Sequence, residues 1–250
     1  MKTNWQNISI NDLVEENYVH AYVLHYFGIR FFEHQTEKLS TVCREKGLKL
    51  ESVIKELETP SLQQNVDLPL VTYPIDLIVA YLKHAHAHFI KNKLPYVASL
   101  VQAFEIKNTP YDSIVRDLKL VFPLFVEDFI HHIYEEEDNL FSYIRLLDKA
   151  SKGKVASGKL YFKLEQNALQ QFASEHEAHD DEMIGIRQIT RNYYTDESTP
   201  LTIKVMYQEL QEFEVNLQIH ARIENEILFP KALALENQVR NKLFQGAKWN

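Results

Sequence analysis

The stretch FIHHIYEEEDNLF, residues 129–141, sets two adjacent histidines and four consecutive acids inside a segment that otherwise reads as a long helix. A charge run on a solvated helix face is the ordinary reading of such a stretch. Here, however, Phe125, Phe129, His132, Glu136, Leu140 and Tyr143 recur at three- and four-residue steps, so one histidine and one glutamate interrupt an apolar stripe. Residues four apart share a helix face, which turns His132 and Glu136 inward together. His131, Glu135, Glu137 and Asp138 fall off the stripe and are expected on the solvated face.

The same interruption recurs elsewhere. Met206, Leu210, Phe213, Leu217, His220, Glu224 and Ile227 form one stripe; Leu169, Phe172, His176, His179 and Met183 form another; Ile75, Val79, Leu82, His86, Phe89 and Leu94 form a third. Pro74, the pair Thr109-Pro110, the run SKGKVASG at 151–158 and DESTP at 196–200 separate four long segments, 75–107, 111–148, 158–193 and 200–238. Four long helices joined by short polar breaks predict an all-α, up-down-up-down four-helix bundle.

Upstream, residues 1–58 carry short helical patterns with Gly28 and Gly47 as expected stops. Residues 59–74, with three prolines and no periodicity, read as a linker. The expected organisation is a small helical domain over 1–58, the linker 59–74, and the bundle over 75–240.

Composition supports helix and narrows the function. Six glycines and eight prolines are few for 250 residues, and that length suits one sizeable core or a main domain with a small companion. A net charge of −8 with no basic tract argues against nucleic acid as a partner. Cys43 is the single cysteine, so neither an intrachain disulfide nor an all-thiolate metal site can form within the chain. No apolar h-region opens the sequence and no apolar run approaches spanning length, so no membrane partner is expected and the cytoplasm is the expected compartment. Monomer and homodimer both stay open.

The histidines carry the chemistry. His86, His132, His176 and His220 follow one another at separations of 46, 44 and 44 residues. In an antiparallel bundle, equal spacing at one height holds only near mid-helix, because positions above or below it alternate between short and long separations. Four histidines meeting in a dry core are costly unless bonded or ligated, and a metal also offsets the charge of buried Glu136 and Glu224. His132-x-x-x-Glu136 and His220-x-x-x-Glu224 each place an imidazole and a carboxylate on one face, which suggests two bridging carboxylates. The Glu-x-x-His repeat of ferritin-type carboxylate sites is absent, so a histidine-rich non-haem di-iron centre (Fe2+/Fe3+) is the better reading. Tyr134 and Tyr143 are placed to gate it.

The segments HIYEEEDNLF (132–141), SEHEAHDDEM (174–183) and QIHARIENEILFPKAL (218–233) resemble the ligand segments of hemerythrin-like domains, most closely the di-iron family called repair of iron centres. HYFGIRFFEHQTEKLSTVCREKGLKLESVI (25–54) is similar to that family's small N-terminal domain, whose signature is a Gly-Ile turn followed by paired cysteines. Phe32 and Glu33 stand where the pair belongs, and only Cys43 matches a family cysteine.

The resemblance implies His132, Glu136, His176, His220 and Glu224 as metal ligands, completed by His84 or His86 from YLKHAHAHFIKNKLP (81–95). His179 is a further candidate outside the family pattern. It also implies a function, repair of iron–sulfur clusters damaged by nitrosative or oxidative stress, through iron donation or nitric oxide chemistry. The implied partners are a small diatomic, nitric oxide or oxygen, and iron–sulfur client proteins; an oxo bridge between the irons is compatible with the ligand set. Reversible oxygen or nitric oxide binding and sensing, or iron buffering, is the alternative, favoured by the missing cysteine pair.

Overall fold

The computed structural model describes residues 5–59, 70–104, 109–166, 169–170, 172–173 and 181–247. These residues form an all-α protein; among them no strand occurs, and Ser9 and Lys38 make an isolated bridge. They fall into two compact units, one drawn from residues 1–67, 95–120 and 187–212, the other from 68–94, 121–186 and 213–250. The first unit therefore recruits two segments beyond the N-terminal helices anticipated over 1–58.

In the first unit, α1 (Ile10–Glu16), α2 (Val19–Tyr26), α3 (Leu39–Glu45) and α4 (Leu50–Glu58) are short. Helices of this length are marginal alone, so packing holds them. Their inward positions, Leu13 and Val14, Ala21 and Leu24, Leu39, Val42 and Cys43, Val53 and Leu57, are buried in one core. Ser9 caps α1 by accepting a hydrogen bond from the Asp12 N–H at 3.1 Å.

Gly28 and Gly47 end α2 and α3 as the sequence leads one to expect. Each takes a positive φ, 72° and 67°, which a side chain resists and glycine does not. Around Gly28 the N–H groups of Gly28 and Ile29 donate to the carbonyls of His25 and Leu24, and around Gly47 those of Gly47 and Leu48 donate to Arg44 and Cys43. Both are Schellman closures, which satisfy the last carbonyls of the helix.

The second unit is built from α5 (Ile75–His88), the part of α7 (Asp112–Glu135) from residue 121 on, α8 (Ser142–Ser151), α9 (Ser157–Gln166), the part of α11 (Leu201–Ile223) from residue 213 on, and α12 (Phe229–Ala247). The helices α6 (Leu94–Ala103) and α10 (Ile184–Ile189) flank these segments in the chain. Three π-helical segments, Phe89–Lys93, Glu136–Phe141 and Glu224–Leu228, join α5 to α6, α7 to α8 and α11 to α12 without a break. The last helical run reaches 247 where 238 was expected. Leu235, Val239 and Leu243 continue its apolar stripe into the shared core, and each buried aliphatic side chain contributes about 1.5–3 kcal/mol.

That core joins Val79 and Leu82 of α5, Tyr143, Ile144 and Leu147 of α8, Leu160 and Leu164 of α9, and Ala232 and Val239 of α12. A polar clasp crosses it. The Tyr143 hydroxyl donates to Glu236 at 2.8 Å, and Arg240 donates to the same carboxylate at 3.0 Å and to the Leu164 carbonyl at 2.6 Å. Burial, and then the bond to Glu236, hold the Tyr143 hydroxyl well above the usual phenol range. Of the two tyrosines near the second-helix candidates, Tyr143 is buried in this clasp and Tyr134 is exposed. Tyr143→Phe is expected to lower stability by about 1.5–2 kcal/mol, because a bond to a charged, buried acceptor is lost; Tyr161→Phe, on an exposed position, is expected to shift the urea midpoint by no more than about 0.5 kcal/mol equivalent.

Candidate metal centre

His86 lies in the last turn of α5, and His220 three residues before the end of α11, one helical turn before Glu224. Glu136 and Glu224 are each the first residue of a π segment. A π turn closes on i→i+5 rather than i→i+4, so it turns the chain less per residue and keeps successive side chains nearer one face; such turns gather at functional sites.

Within the second unit one ligand atom from each of His86, Glu136, His220 and Glu224 lies within 4.8 Å of the others. The His86 and His220 Nε2 atoms are 2.9 Å apart. Glu136 Oε2 stands 3.3 Å from His86 Nε2, and Glu224 Oε1 stands 3.2 Å from His220 Nε2. Glu224 is fully buried; His86 and Glu136 are 2% and 7% exposed.

Aromatic rings close the cluster on both sides. Phe141 stacks under the His86 ring, 5.5 Å between centroids and 7° between planes. Phe89 meets His220 edge-on at 5.9 Å and continues into a layer with Phe129 and Phe213. Such a lining lowers the local dielectric, which raises both the cost of lone charges and the strength of any cation they share.

A second ring of contacts lies outside the first. Glu137 Oε1 is 3.1 Å from His86 Nδ1, and the Lys83 ammonium pairs with the other Glu137 oxygen. Burial works against the Glu137 charge, but the bonds from Lys83 and His86 outweigh it and hold the carboxyl below its usual range. Glu137 therefore departs from the solvated face on which a 3.6-residue period places it. His131 and Glu135, at 72% and 63% exposed, do lie there, and so does Asp138.

The donor set fits a metal. A carboxylate only accepts, so the Nδ1 that bonds Glu137 carries the proton, and a neutral His86 turns the Nε2 lone pair towards Glu136 and His220. His86 Nε2 and Glu136 Oε2 then face each other as two acceptors at 3.3 Å in an apolar core, an arrangement that a proton or a cation between them would relieve. Two imidazoles and two carboxylates match iron, zinc or manganese.

The other sequence candidates lie as follows. His84, on the neighbouring face of α5, is exposed, so of the two first-helix candidates only His86 is in the cluster. His132 stands outside the four-residue group, 37% exposed, with Nε2 3.7 Å from Glu182 Oε1. His176 and His179 lie outside the described residues. In the first unit, His20 bonds the Leu13 carbonyl, His25 packs on Tyr96 and His34 pairs with Glu37. Lys83, Glu137 and Glu182 were missed: the contacts of the first two run between helices far apart in sequence, and no spacing rule announces them.

Cys43 is buried in the first unit, and burial pushes its thiol above the ordinary range. The turn Phe31–Glu33 fills the place of the cysteine pair, with Phe31 in the core. Cys43 is expected to react with an aromatic disulfide reagent only as the protein unfolds, with a rate that follows the denaturant transition; fast labelling of the folded protein would show an accessible thiol.

No protein-family model matches the chain. Curated relatives do. The iron-sulfur cluster repair protein YtfE of Yersinia pestis (strain Pestoides F) is 25% identical over 185 residues, covering 74% of this chain and 76% of the relative. The protein of that name from Yersinia pseudotuberculosis serotype O:1b (strain IP 31758) matches to the same extent. Over 74% of its length, then, the chain is homologous to proteins named for iron-sulfur cluster repair.

Proposed function

We propose that this chain is a di-iron protein that restores iron–sulfur clusters damaged by nitrosative or oxidative stress, through iron donation or nitric oxide chemistry. One observation carries the reading: His86, Glu136, His220 and Glu224 converge within 4.8 Å in a closed aromatic core. Homology to proteins named for cluster repair supplies the process.

His86 and His220 hold the metal through Nε2, and Glu136 and Glu224 offset its charge. The resemblance to hemerythrin-like domains adds His132 and His176 to the proposed set, of which His176 lies outside the described residues. An iron pair held there supplies a one-electron redox change and an electron-poor position for nitric oxide or oxygen. The chain's own part is to keep the four ligands oriented, and to keep water out with Phe89, Phe129, Phe141 and Phe213. Its clients are iron–sulfur proteins and its compartment is the cytoplasm; among the described residues no helix is long and apolar enough to cross a membrane.

A second reading has its own support. With Phe32 and Glu33 at the cysteine positions and Cys43 buried, the first unit offers no accessible thiol among its described residues, which favours reversible oxygen or nitric oxide binding over a thiol-assisted repair step.

The test begins with protein purified without oxygen. About two irons per chain are expected, with ferric bands growing in air. His86→Ala, His132→Ala and His220→Ala are expected to lose most of the iron, and His131→Ala to retain it. Iron-loaded protein then meets a nitric oxide-damaged cluster protein. Recovery of client activity supports repair; bound nitric oxide that leaves unchanged, with no recovery, supports sensing. A wild-type chain that takes up no iron sinks both.

A further inference from the structure

Glu137 lies next to Glu136, yet it faces a different partner. Its carboxylate reaches across from its own π segment to α5, where it meets both His86 Nδ1, at 3.1 Å, and the Lys83 ammonium. Lys83 and His86 are three apart on α5 and so lie on adjacent parts of one face. The His86 contact is no loose surface pair, with the His86 ring 2% exposed and the Glu137 side chain 20%, while the Lys83 side chain is 32% exposed.

We propose that Glu137 is the positioning residue of the centre: it fixes the His86 ring with Nδ1 protonated and the Nε2 lone pair turned towards Glu136 and His220, and Lys83 in turn fixes Glu137. The assignment rests on the metal-centre reading above and deepens it. Three observations carry it. A carboxylate has no proton to give, so its bond to Nδ1 selects one tautomer. The other ring nitrogen points into the cluster, 2.9 Å from His220 and 3.3 Å from Glu136. Phe141, stacked on the ring within 7° of parallel, leaves rotation about the ring axis as the main freedom, and Glu137 removes it.

The consequence is chemical as well as geometric. An imidazole that donates to a carboxylate is a more basic ligand at its far nitrogen, and loss of such a support costs roughly 10–100-fold in metal affinity. Lys83 limits how far Glu137 can swing.

The experiment uses the full chain with cobalt(II) as the probe, titrated into wild type, Glu137→Leu, Glu137→Gln and Lys83→Met and followed by its visible bands; helical content and melting are recorded for each. The metal-free proteins are also labelled with 15N-histidine, and the His86 ring is assigned by its loss in His86→Gln. Expected are a 10–100-fold weaker cobalt affinity with altered bands for Glu137→Leu, and a smaller loss for Glu137→Gln, whose amide oxygen still accepts the Nδ1–H. Lys83→Met is expected to fall between wild type and Glu137→Leu. The nitrogen spectrum is expected to show Nδ1-protonated His86 in wild type and Glu137→Gln, and a mixture of tautomers in Glu137→Leu. Unchanged affinity and bands in a folded Glu137→Leu, or a His86 tautomer indifferent to residue 137, overturns the proposal. If wild type binds neither iron nor cobalt the di-iron reading fails separately, and the tautomer measurement still decides the role of Glu137. Should Glu137→Leu not fold, the cobalt titrations of Glu137→Gln and Lys83→Met decide it: weaker affinity in both supports the proposal, and wild-type affinity and bands in both overturn it.

Discussion

Two carboxylates and two imidazoles share a space less than 5 Å across inside an aromatic core, and much else in the second unit answers to that constraint. Ionised groups taken out of water cost several kcal/mol each unless something of opposite sign returns the loss. Lys83 balances only Glu137, which lies outside the four. His86 Nε2 and Glu136 Oε2 face each other acceptor towards acceptor, an approach that a shared cation would satisfy. The phenylalanines on either side raise the stakes, because the same low dielectric that punishes a bare carboxylate strengthens its attraction to a metal.

Backbone geometry serves that arrangement. Glu136 and Glu224 each open a π segment, and a third π segment follows His86 by three residues. Glu137 meets α5 from the same segment as Glu136, so a single short sequence supplies both a candidate ligand and the carboxylate that bonds His86. Away from the cluster, the Tyr143, Glu236 and Arg240 clasp holds α8, α9 and α12 with ordinary hydrogen-bond chemistry.

The first unit presents a contrast. Its helices are short, closed by Gly28 and Gly47, and held by a core that includes Cys43. A buried thiol with a raised pKa is a packing group. Phe32 and Glu33 supply no thiol at the positions of the cysteine pair, which throws the weight of the proposed function on the histidine–glutamate cluster.

Much of this was legible in the sequence. Apolar stripes of period 3.6 determined the all-α class, the inward face of each helix and the inward position of His86, Glu136, His220 and Glu224, because periodicity records which side of a helix must avoid water. Glycines at 28 and 47 announced two helix ends, since few other residues accept positive φ. What tertiary structure decided was of another kind. The exclusion of His84 in favour of His86, the turn of His132 towards Glu182, and the bonding of Glu137 to His86 and Lys83 all depend on which helix lies opposite and on π turns that shift the face by a fraction of a turn. One-dimensional spacing assumes a constant 100° per residue, and contacts between segments some fifty residues apart are set by packing alone.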